Sequence, residues 1–123
     1  MAMRPLLTVV DDDVSVRESL PRLLRLRGYV VNAFSSAEEF LASDNIGEIQ
    51  CLILDVAMPG MSGPDLQQEL RLRGVDIPIV FITAQSDAKV RSDMLEQGAV
   101  ACLFKPFGDA DLLTALGVAI RAR

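Results

Sequence analysis

Cysteine is scarce in this sequence, because its 123 residues include only Cys51 and Cys102. Both lie inside apolar runs, where a free thiol behaves as a small buried hydrophobic group. Two such residues make no disulfide framework, which excludes the class of small secreted domains that disulfides hold together. A reducing compartment is therefore expected.

Long apolar runs and excess positive charge are also absent. No stretch approaches the roughly 18 apolar residues of a membrane span, and the N-terminal MAMRPLL lacks the apolar region and cleavage site of a signal peptide. The net charge is −5, whereas a nucleic-acid surface needs clustered lysine and arginine. The sequence therefore predicts a cytoplasmic protein with no membrane segment and no direct nucleic-acid contact by these residues.

The apolar residues, half of the chain, occur in short runs that suggest buried strands. Several of these runs lack period-two alternation, as expected for strands covered on both faces. The five runs are LLTVV at 6–10, YVVNAF at 29–34, CLIL at 51–54, IPIVFI at 77–82 and VACLF at 100–104.

The first helical pattern follows the first apolar run and stops at Gly28, a typical C-terminal glycine. Its start is open to two interpretations. Asp13 could cap the helix, or Ser15 and Glu18 could form a capping box.

An internal proline interrupts this helical pattern. Pro21 shares a helical face with Arg17 and Arg25, so we expect a solvent-side kink rather than a broken helix. The remaining patterns predict helices near 37–42, from Pro64 to before Gly74, over about 87–97 and over about 109–121. The fourth is only weakly amphipathic, and we expect it to be the least firmly docked.

Strands and helices alternate without a linker or an internal repeat. This pattern predicts one three-layer α/β domain with a parallel sheet over residues 1–123. Right-handed crossovers would place the carboxyl ends of all strands along one edge. Open parallel sheets bind their ligands at that edge.

Polar residues that can take part in chemistry follow four of the apolar runs. Asp11 and Asp12 follow the first run, Asp55 follows the third, Thr83 follows the fourth and Lys105 follows the fifth. Carboxylates with backbone and water oxygens suit a hard divalent cation such as Mg²⁺. A carboxylate can also attack phosphorus, a transfer that needs positive charge and hydrogen bonds on the phosphoryl oxygens. Together these residues predict phosphoryl transfer onto a carboxylate.

The segments VVDDD, LILDVAMPGMSG, FITA and CLFKPF occur in this order and resemble the receiver domain of two-component response regulators. The resemblance covers essentially the whole chain and looks closest to the nitrogen-fixation regulator subfamily. It implies a flavodoxin-like, doubly wound fold with five helices and a five-stranded parallel sheet in the order 2-1-3-4-5.

The resemblance also implies roles for the acids. Asp55 would be the phosphoacceptor, and Asp11 and Asp12 would bind Mg²⁺ or Mn²⁺ together with Asp55. Asp12 would ligate the ion directly and Asp11 through water, and the backbone carbonyl of Ala57 would be a further ligand. Asp13 falls outside the family pair, as an acid at a helix start.

By the same resemblance, Thr83 and Lys105 would hold the phosphoryl group, and Lys105–Pro106 would be a cis peptide. Receivers usually carry a switching aromatic residue three positions before this lysine, where this chain has Cys102. Cys102 is interpreted either as a switch residue or as a small core residue, so we expect switching to depend more on Thr83 and the fourth helix. The implied strand order separates Cys51 from Cys102, and no disulfide between them is expected.

The resemblance implies a phosphorylation switch rather than an enzyme with an external substrate. A sensor histidine kinase would donate the phosphoryl group, and the lack of histidine in this chain fits a donor in trans. Similar receivers use the surface of the fourth helix, fifth strand and fifth helix for dimerisation or partner binding. A phosphorylation-dependent homodimer and a DNA-binding output domain outside this chain are implied in the same way.

Two other classes of function remain open. A receiver-shaped binding module that is not phosphorylated is one, although such modules commonly lose one of the five site residues. A phosphatase similar to haloacid dehalogenases is the other, but those enzymes have an acid where this chain has Ala57. By the receiver resemblance, Ala57 and Gln85 would flank the path of the hydrolytic water, and Ala57 has no side-chain acid or amide to orient it.

Overall fold

A computed structural model of the chain describes residues 5–44, 46–84 and 88–122. Five strands form a parallel sheet in the order β2-β1-β3-β4-β5, which confirms the expected fold class and strand order. The strands are β1 (Leu6–Val10), β2 (Val30–Phe34), β3 (Cys51–Asp55), β4 (Ile79–Thr83) and β5 (Ala101–Phe104). The α-helices are α1 (Val14–Leu26), α2 (Ala37–Leu41), α3 (Gly63–Leu72), α4 (Ala88–Glu96) and α5 (Asp109–Ala122), and Ile46–Glu48 forms a 3-10 turn.

The two central strands, β3 and β4, are buried along their whole length, as their unbroken apolar runs predicted. Successive residues of a strand point to opposite faces. Leu52 and Leu54 accordingly pack in one cluster with residues of α2, α3 and α4, whereas Cys51 and Ile53 pack in a second cluster with residues of α1 and α5. The sheet is therefore the middle of three layers.

The strand register brings the carboxyl ends of the strands level with one another. Val10 pairs with Leu54, Asp55 with Ile82, and Thr83 with Phe104. Residues that directly end or follow these strands consequently share one edge of the sheet. This edge contains the site described below.

Helix α1 begins at the first of its two predicted starts. Asp13 is the N-cap, and its Oδ1 accepts a hydrogen bond of 2.8 Å from the backbone N–H of Ser15. Gly28, with φ of +94°, follows the helix in the left-handed conformation that glycine adopts without strain. The expected glycine stop is therefore confirmed.

The helix runs unbroken through Pro21, but the expectation that this proline faces solvent is wrong, because Pro21 is buried. The arginines on its face bind main-chain carbonyls. Arg17 Nη1 donates to the carbonyl of Asp11 at 3.0 Å, and Arg25 Nη2 donates to the carbonyl of Val31 at 2.9 Å. Long arginine side chains can cover apolar surface while their charged ends find partners, so these arginines do not mark a solvent face.

Helix α4 has a sparse apolar face, as expected. Met94 is buried, Val90 packs partly against the core, and the remaining residues of α4 (Ala88–Glu96) are exposed or half-buried. Residue 87, where the sequence predicted the helix to begin, lies outside the described residues, as does Gln85. In the ranges that the structure describes, no helix combines the length and apolar character needed to cross a membrane.

The two cysteines are free and buried, and they pack on opposite faces of the sheet. The expectation of no disulfide between them is confirmed. Burial raises the pKa of the Cys51 thiol to about 12. Burial also raises the pKa of the Cys102 thiol, although the charge of Arg91 opposes this effect.

Both thiols should therefore be inert in the folded protein, because the thiolate is the reactive form. With a disulfide reagent that releases a coloured thiolate, at about pH 8, we expect no fast phase without denaturant and two reactive thiols in strong denaturant. A fast phase of one equivalent in the folded protein would contradict the burial of one of them.

Candidate functional site

The carboxyl edge of the sheet collects the residues that the sequence singled out. Asp11 and Asp12 follow β1, Asp55 ends β3, Thr83 ends β4, and Lys105 follows β5. These strands are neighbours in the sheet, although the residues are up to 94 positions apart in the chain. Packing therefore brings the predicted set together at one edge.

Three carboxylates form the acidic part of the site. One oxygen from each of Asp11, Asp12 and Asp55 lies within 4.8 Å of the others. Asp11 is fully buried, Asp55 is 5% exposed, and Asp12 is exposed. Two like charges about 4 Å apart repel by ~1 kcal/mol in bulk water and by several times more in a partly buried site.

Lys105 is the cation that faces these acids. Its Nζ donates a hydrogen bond of 2.8 Å to Asp11 Oδ2 and lies 3.7 Å from Asp55 Oδ1. Its backbone N–H donates to the carbonyl of Thr83 at 2.7 Å, and the peptide to Pro106 is cis, as expected. The lysine thus reaches from the end of β5 to a carboxylate that follows β1.

The charges of the site change the pKa of two of its members. Burial and the neighbouring charge of Asp11 raise the pKa of Asp55 to about 7, although Lys105 opposes this change. For Lys105, burial disfavours the charged form, but the hydrogen bond and charge of Asp11 outweigh it and raise the pKa. Lys105 therefore stays charged, whereas a pKa of about 7 leaves Asp55 only partly ionised near neutral pH in the metal-free protein.

Asp13 takes a different place from its two neighbours. Its carboxylate caps α1, and its backbone N–H donates to Asp11 Oδ1 at 2.9 Å. This hydrogen bond orients the carboxylate of Asp11, while the side chain of Asp13 caps α1. Of the three consecutive acids, Asp11 and Asp12 thus belong to the acidic cluster and Asp13 to the helix start.

The site also depends on two residues that the sequence analysis did not assign to it. Arg17 holds the backbone of Asp11 through the bond to its carbonyl. Gly63, the first residue of α3, lies against the main chain of Asp55: a Cβ at this position would overlap the Asp55 carbonyl oxygen and press on the ring of Phe81. The glycine in MSGPD was a signal for this close approach.

The remaining predicted residues have distinct positions. Thr83 is 1% exposed at the end of β4, and Ala57 is exposed on the loop that follows Asp55. Cys102 is not brought to the acidic cluster. It pairs with Phe81 in the sheet register and packs in the same core cluster as Met94 of α4.

The raised pKa of Asp55 predicts a pH dependence of stability in the metal-free protein. Asp55 has an ordinary pKa of 3.8 and a folded-state pKa of about 7. Between these values the unfolded chain releases a proton that the folded chain keeps, so this contribution to stability falls as the pH rises and levels off above about pH 7.

Urea unfolding with a chelator, at about pH 5 and about pH 8, tests this dependence. The wild type should lose more free energy of unfolding than Asp55→Asn between the two conditions, by a few kcal/mol, at about 1.4 kcal/mol per pKa unit. Equal losses in both proteins would show that Asp55 has an ordinary pKa.

Comparisons with known proteins identify the family of this chain. A family model described as "Response regulator receiver domain" matches residues 7–117. Nodulation protein W of Bradyrhizobium diazoefficiens is 46% identical over 108 residues, which cover 88% of this chain and 48% of that protein. The transcriptional regulatory protein FixJ of Azorhizobium caulinodans is 38% identical over 108 residues, with coverage of 88% and 51%. The chain thus spans about half the length of these curated relatives.

Two solved structures with the same fold are more than 30% identical in sequence to this chain. A crystal structure of FixJ-N has a TM-score of 0.87 and 31% identity, and the match covers 99% of this chain and 98% of that chain. The response regulator StyR has a TM-score of 0.89 and 42% identity, with coverage of 98% and 61%. These matches cover the strands and helices that build the site.

Proposed function

This chain belongs to the response regulator receiver domain family, and from that premise we propose that it is a phosphorylation-dependent switch with Asp55 as the phosphoacceptor. The observation that carries the proposal is the position of Asp55. It is an almost buried carboxylate between two further acids and an ammonium group at the ligand-binding edge of a parallel sheet. We propose a sensor histidine kinase as the donor, since the chain itself has no histidine.

The proposed step is a transfer from phosphohistidine to carboxylate. An oxygen of Asp55 attacks phosphorus and forms an O–P bond, while the P–N bond to the kinase imidazole breaks and its electron pair stays on nitrogen. Asp55 must lose its proton first, and its raised pKa disfavours that loss. Lys105, 3.7 Å away, is the protein group that favours the ionised form.

The acidic cluster fits a divalent cation. Asp11, Asp12 and Asp55 are hard oxygen donors, one oxygen of each lies within 4.8 Å of the others, and three acids outnumber the single Lys105. We propose that they hold Mg²⁺ or Mn²⁺, with the backbone carbonyl of Ala57 as a further ligand. When bound, the ion would offset the charge of the carboxylates and of the phosphoryl oxygens.

Lys105 and Thr83 are the proposed contacts for the phosphoryl group. The Lys105 ammonium has three donors and already lies between Asp11 and Asp55, so it needs little movement to reach a phosphoryl oxygen on Asp55. Thr83 ends the strand next to β3, and Asp55 pairs with the residue before it, Ile82. Thr83 therefore lies on the strand next to that of Asp55, and we propose that its hydroxyl turns toward the phosphoryl group.

We propose that the signal leaves the site through α4 and β5. Helix α4 has Met94 as its buried anchor, so a movement of Thr83 can shift it at small energetic cost. Cys102 belongs to the same core cluster as Met94, and switching would then depend on Thr83 and α4 more than on an aromatic ring. The surface of α4, β5 and α5 would bind a partner or a second copy of the chain.

The proposed output is transcriptional. Curated relatives include proteins named as transcriptional regulators, and this chain spans about half their length. We propose a DNA-binding output domain outside these residues, and a cytoplasmic location in keeping with the free, buried cysteines. The domain itself would catalyse only its own phosphorylation and dephosphorylation.

The acceptor assignment predicts a covalent product. Incubation with Mg²⁺ and a small phosphodonor such as acetyl phosphate should add the mass of one phosphoryl group to the intact protein. Asp55→Asn should abolish the gain, because the amide cannot form the acyl phosphate. Asp44→Asn, which changes an acid outside the cluster, is the matched control and should keep it.

Intact-protein mass spectrometry decides between the outcomes. A mass gain that survives in Asp55→Asn rejects Asp55 as the acceptor. No gain in the wild type, together with no Mg²⁺-dependent rise in melting temperature, would favour the binding module that is not phosphorylated.

Neighbouring acids provide a second test, because Asp12 belongs to the cluster and Asp13 caps α1. Asp12→Ala should abolish Mg²⁺ binding in a calorimetric titration. Asp13→Ala should leave Mg²⁺ binding nearly unchanged and lower the free energy of unfolding by about 1 kcal/mol, the usual loss for an N-cap. If Asp13→Ala abolished Mg²⁺ binding, our separation of the acids would be wrong.

A further inference from the structure

A side chain of α2 reaches the loop that follows Asp55. Glu38 Oε2 accepts a hydrogen bond of 3.1 Å from the backbone N–H of Met61, 23 positions further along the chain. Residues 56–62 form this loop between β3 and α3, and Ala57 is one of them. The contact therefore joins α2 to the segment that carries a proposed metal ligand.

Helix α2 is a firm base for this contact although it is short. Ala37 and Phe40, on either side of Glu38 and Glu39, are fully buried. The ring of Phe40 also packs edge to face on Phe34, with centroids 5.7 Å apart. Glu38 thus extends from a helix whose position the core determines.

The loop backbone is shaped around the Glu38 carboxylate. Gly60 has φ of +74°, a conformation that L side chains rarely adopt. A Cβ at Gly60 would lie 2.6 Å from Glu38 Oε2, so the loop passes close to the carboxylate end of this side chain. The same oxygen accepts the Met61 hydrogen bond, so Glu38 contacts two successive residues of the loop.

Other contacts hold the remainder of the loop. Gly63 N–H donates to the carbonyl of Val56 at 2.9 Å, which joins the two ends of the loop. Ser62 and Asp65 form a capping box at the start of α3. Met58 packs into the core. Glu38 adds a further contact after Met58 in the chain, at Met61, two residues before α3 begins.

We propose that Glu38 is a positioning residue for the site: it holds the loop of residues 56–62 in the form that presents the Ala57 carbonyl to a divalent cation. This inference rests on the proposed function, because it assumes that the acidic cluster binds Mg²⁺. Coupling between two sites is reciprocal, so Mg²⁺ should in turn strengthen the bond between Glu38 and the loop. A face of the protein formed by α2 would then sense whether the metal site is filled.

The test compares Glu38→Ala, Glu38→Gln and the control Glu39→Ala by NMR. Glu39 is the matched control because it is also exposed and in the first turn of α2, but its Oε2 accepts from Ser35. Hydrogen exchange of the Met61 amide is measured without metal, and a Mg²⁺ titration of the same samples gives the dissociation constant. Exchange is a readout that does not depend on phosphorylation.

Loss of one hydrogen bond to a charged acceptor should change both quantities by about three- to tenfold. In Glu38→Ala, we expect Met61 exchange to become faster and Mg²⁺ binding to become weaker by that factor. Glu38→Gln keeps an oxygen acceptor and should remain within about twofold of the wild type, as should Glu39→Ala.

Several results would overturn the inference. Unchanged Met61 exchange in Glu38→Ala would show that the contact does not hold the loop. Faster exchange with unchanged Mg²⁺ affinity would reject the positioning role and leave the proposed function intact, since the wild type still binds Mg²⁺. Equal weakening in Glu39→Ala or Glu38→Gln would assign the effect to charge. A wild type that binds no Mg²⁺ would refute the proposed function itself.

Discussion

The structure of this protein depends on an excess of negative charge at the carboxyl edge of the sheet, where three carboxylates face one lysine. Asp11, Asp12 and Asp55 lie close together, and two of them are almost inaccessible to solvent. Lys105 is hydrogen-bonded to Asp11 and forms an ion pair with Asp55. Burial of a carboxylate without full compensation favours its neutral form, and the raised pKa of Asp55 is the result. Such a cluster is better stabilised when more positive charge enters it.

The surrounding backbone holds this unfavourable cluster in place. Hydrogen bonds from Arg17 and from the Asp13 main chain fix the carbonyl and the carboxylate of Asp11. Gly63 lets the start of α3 lie against the main chain of Asp55. Each of these contacts limits the movement by which the acids could separate and relieve their repulsion. This arrangement supports the proposal of a divalent cation at the site, because phosphoryl transfer needs positive charge that is already positioned.

Connections from the site to the surface differ in strength. Helix α2 is anchored by buried residues and contacts the loop after Asp55 through Glu38, whereas α4 has Met94 as its buried residue. A weakly anchored helix can change position at a small cost in free energy, whereas a firmly anchored helix stays in place and limits the movement of what it contacts. This difference supports the two roles that we propose, in which α2 positions the loop of the site and α4 moves in response to phosphorylation.

Local patterns in the sequence determined the class of fold, the existence of the strands and helices, and the residues of the edge. Unbroken apolar runs are typical of strands buried on both faces, and parallel strands bring their carboxyl ends together, so Asp11, Asp55, Thr83 and Lys105 were predictable as one set. The strand order and the cis peptide came from the family resemblance. Even the N-cap was one of two predicted alternatives.

Tertiary structure alone decided what covers the Pro21 face of α1 and which distant groups touch. The spacing of Arg17, Pro21 and Arg25 indicated a solvent face, yet both arginines donate to main-chain carbonyls and the proline is buried. Helical periodicity records which residues share a face but not what covers that face. The bond from Glu38 to Met61 is likewise absent from any local pattern, because it depends on how separate elements pack. The glycine at position 63 was a signal of a close approach, but only the fold identifies the Asp55 main chain as its neighbour.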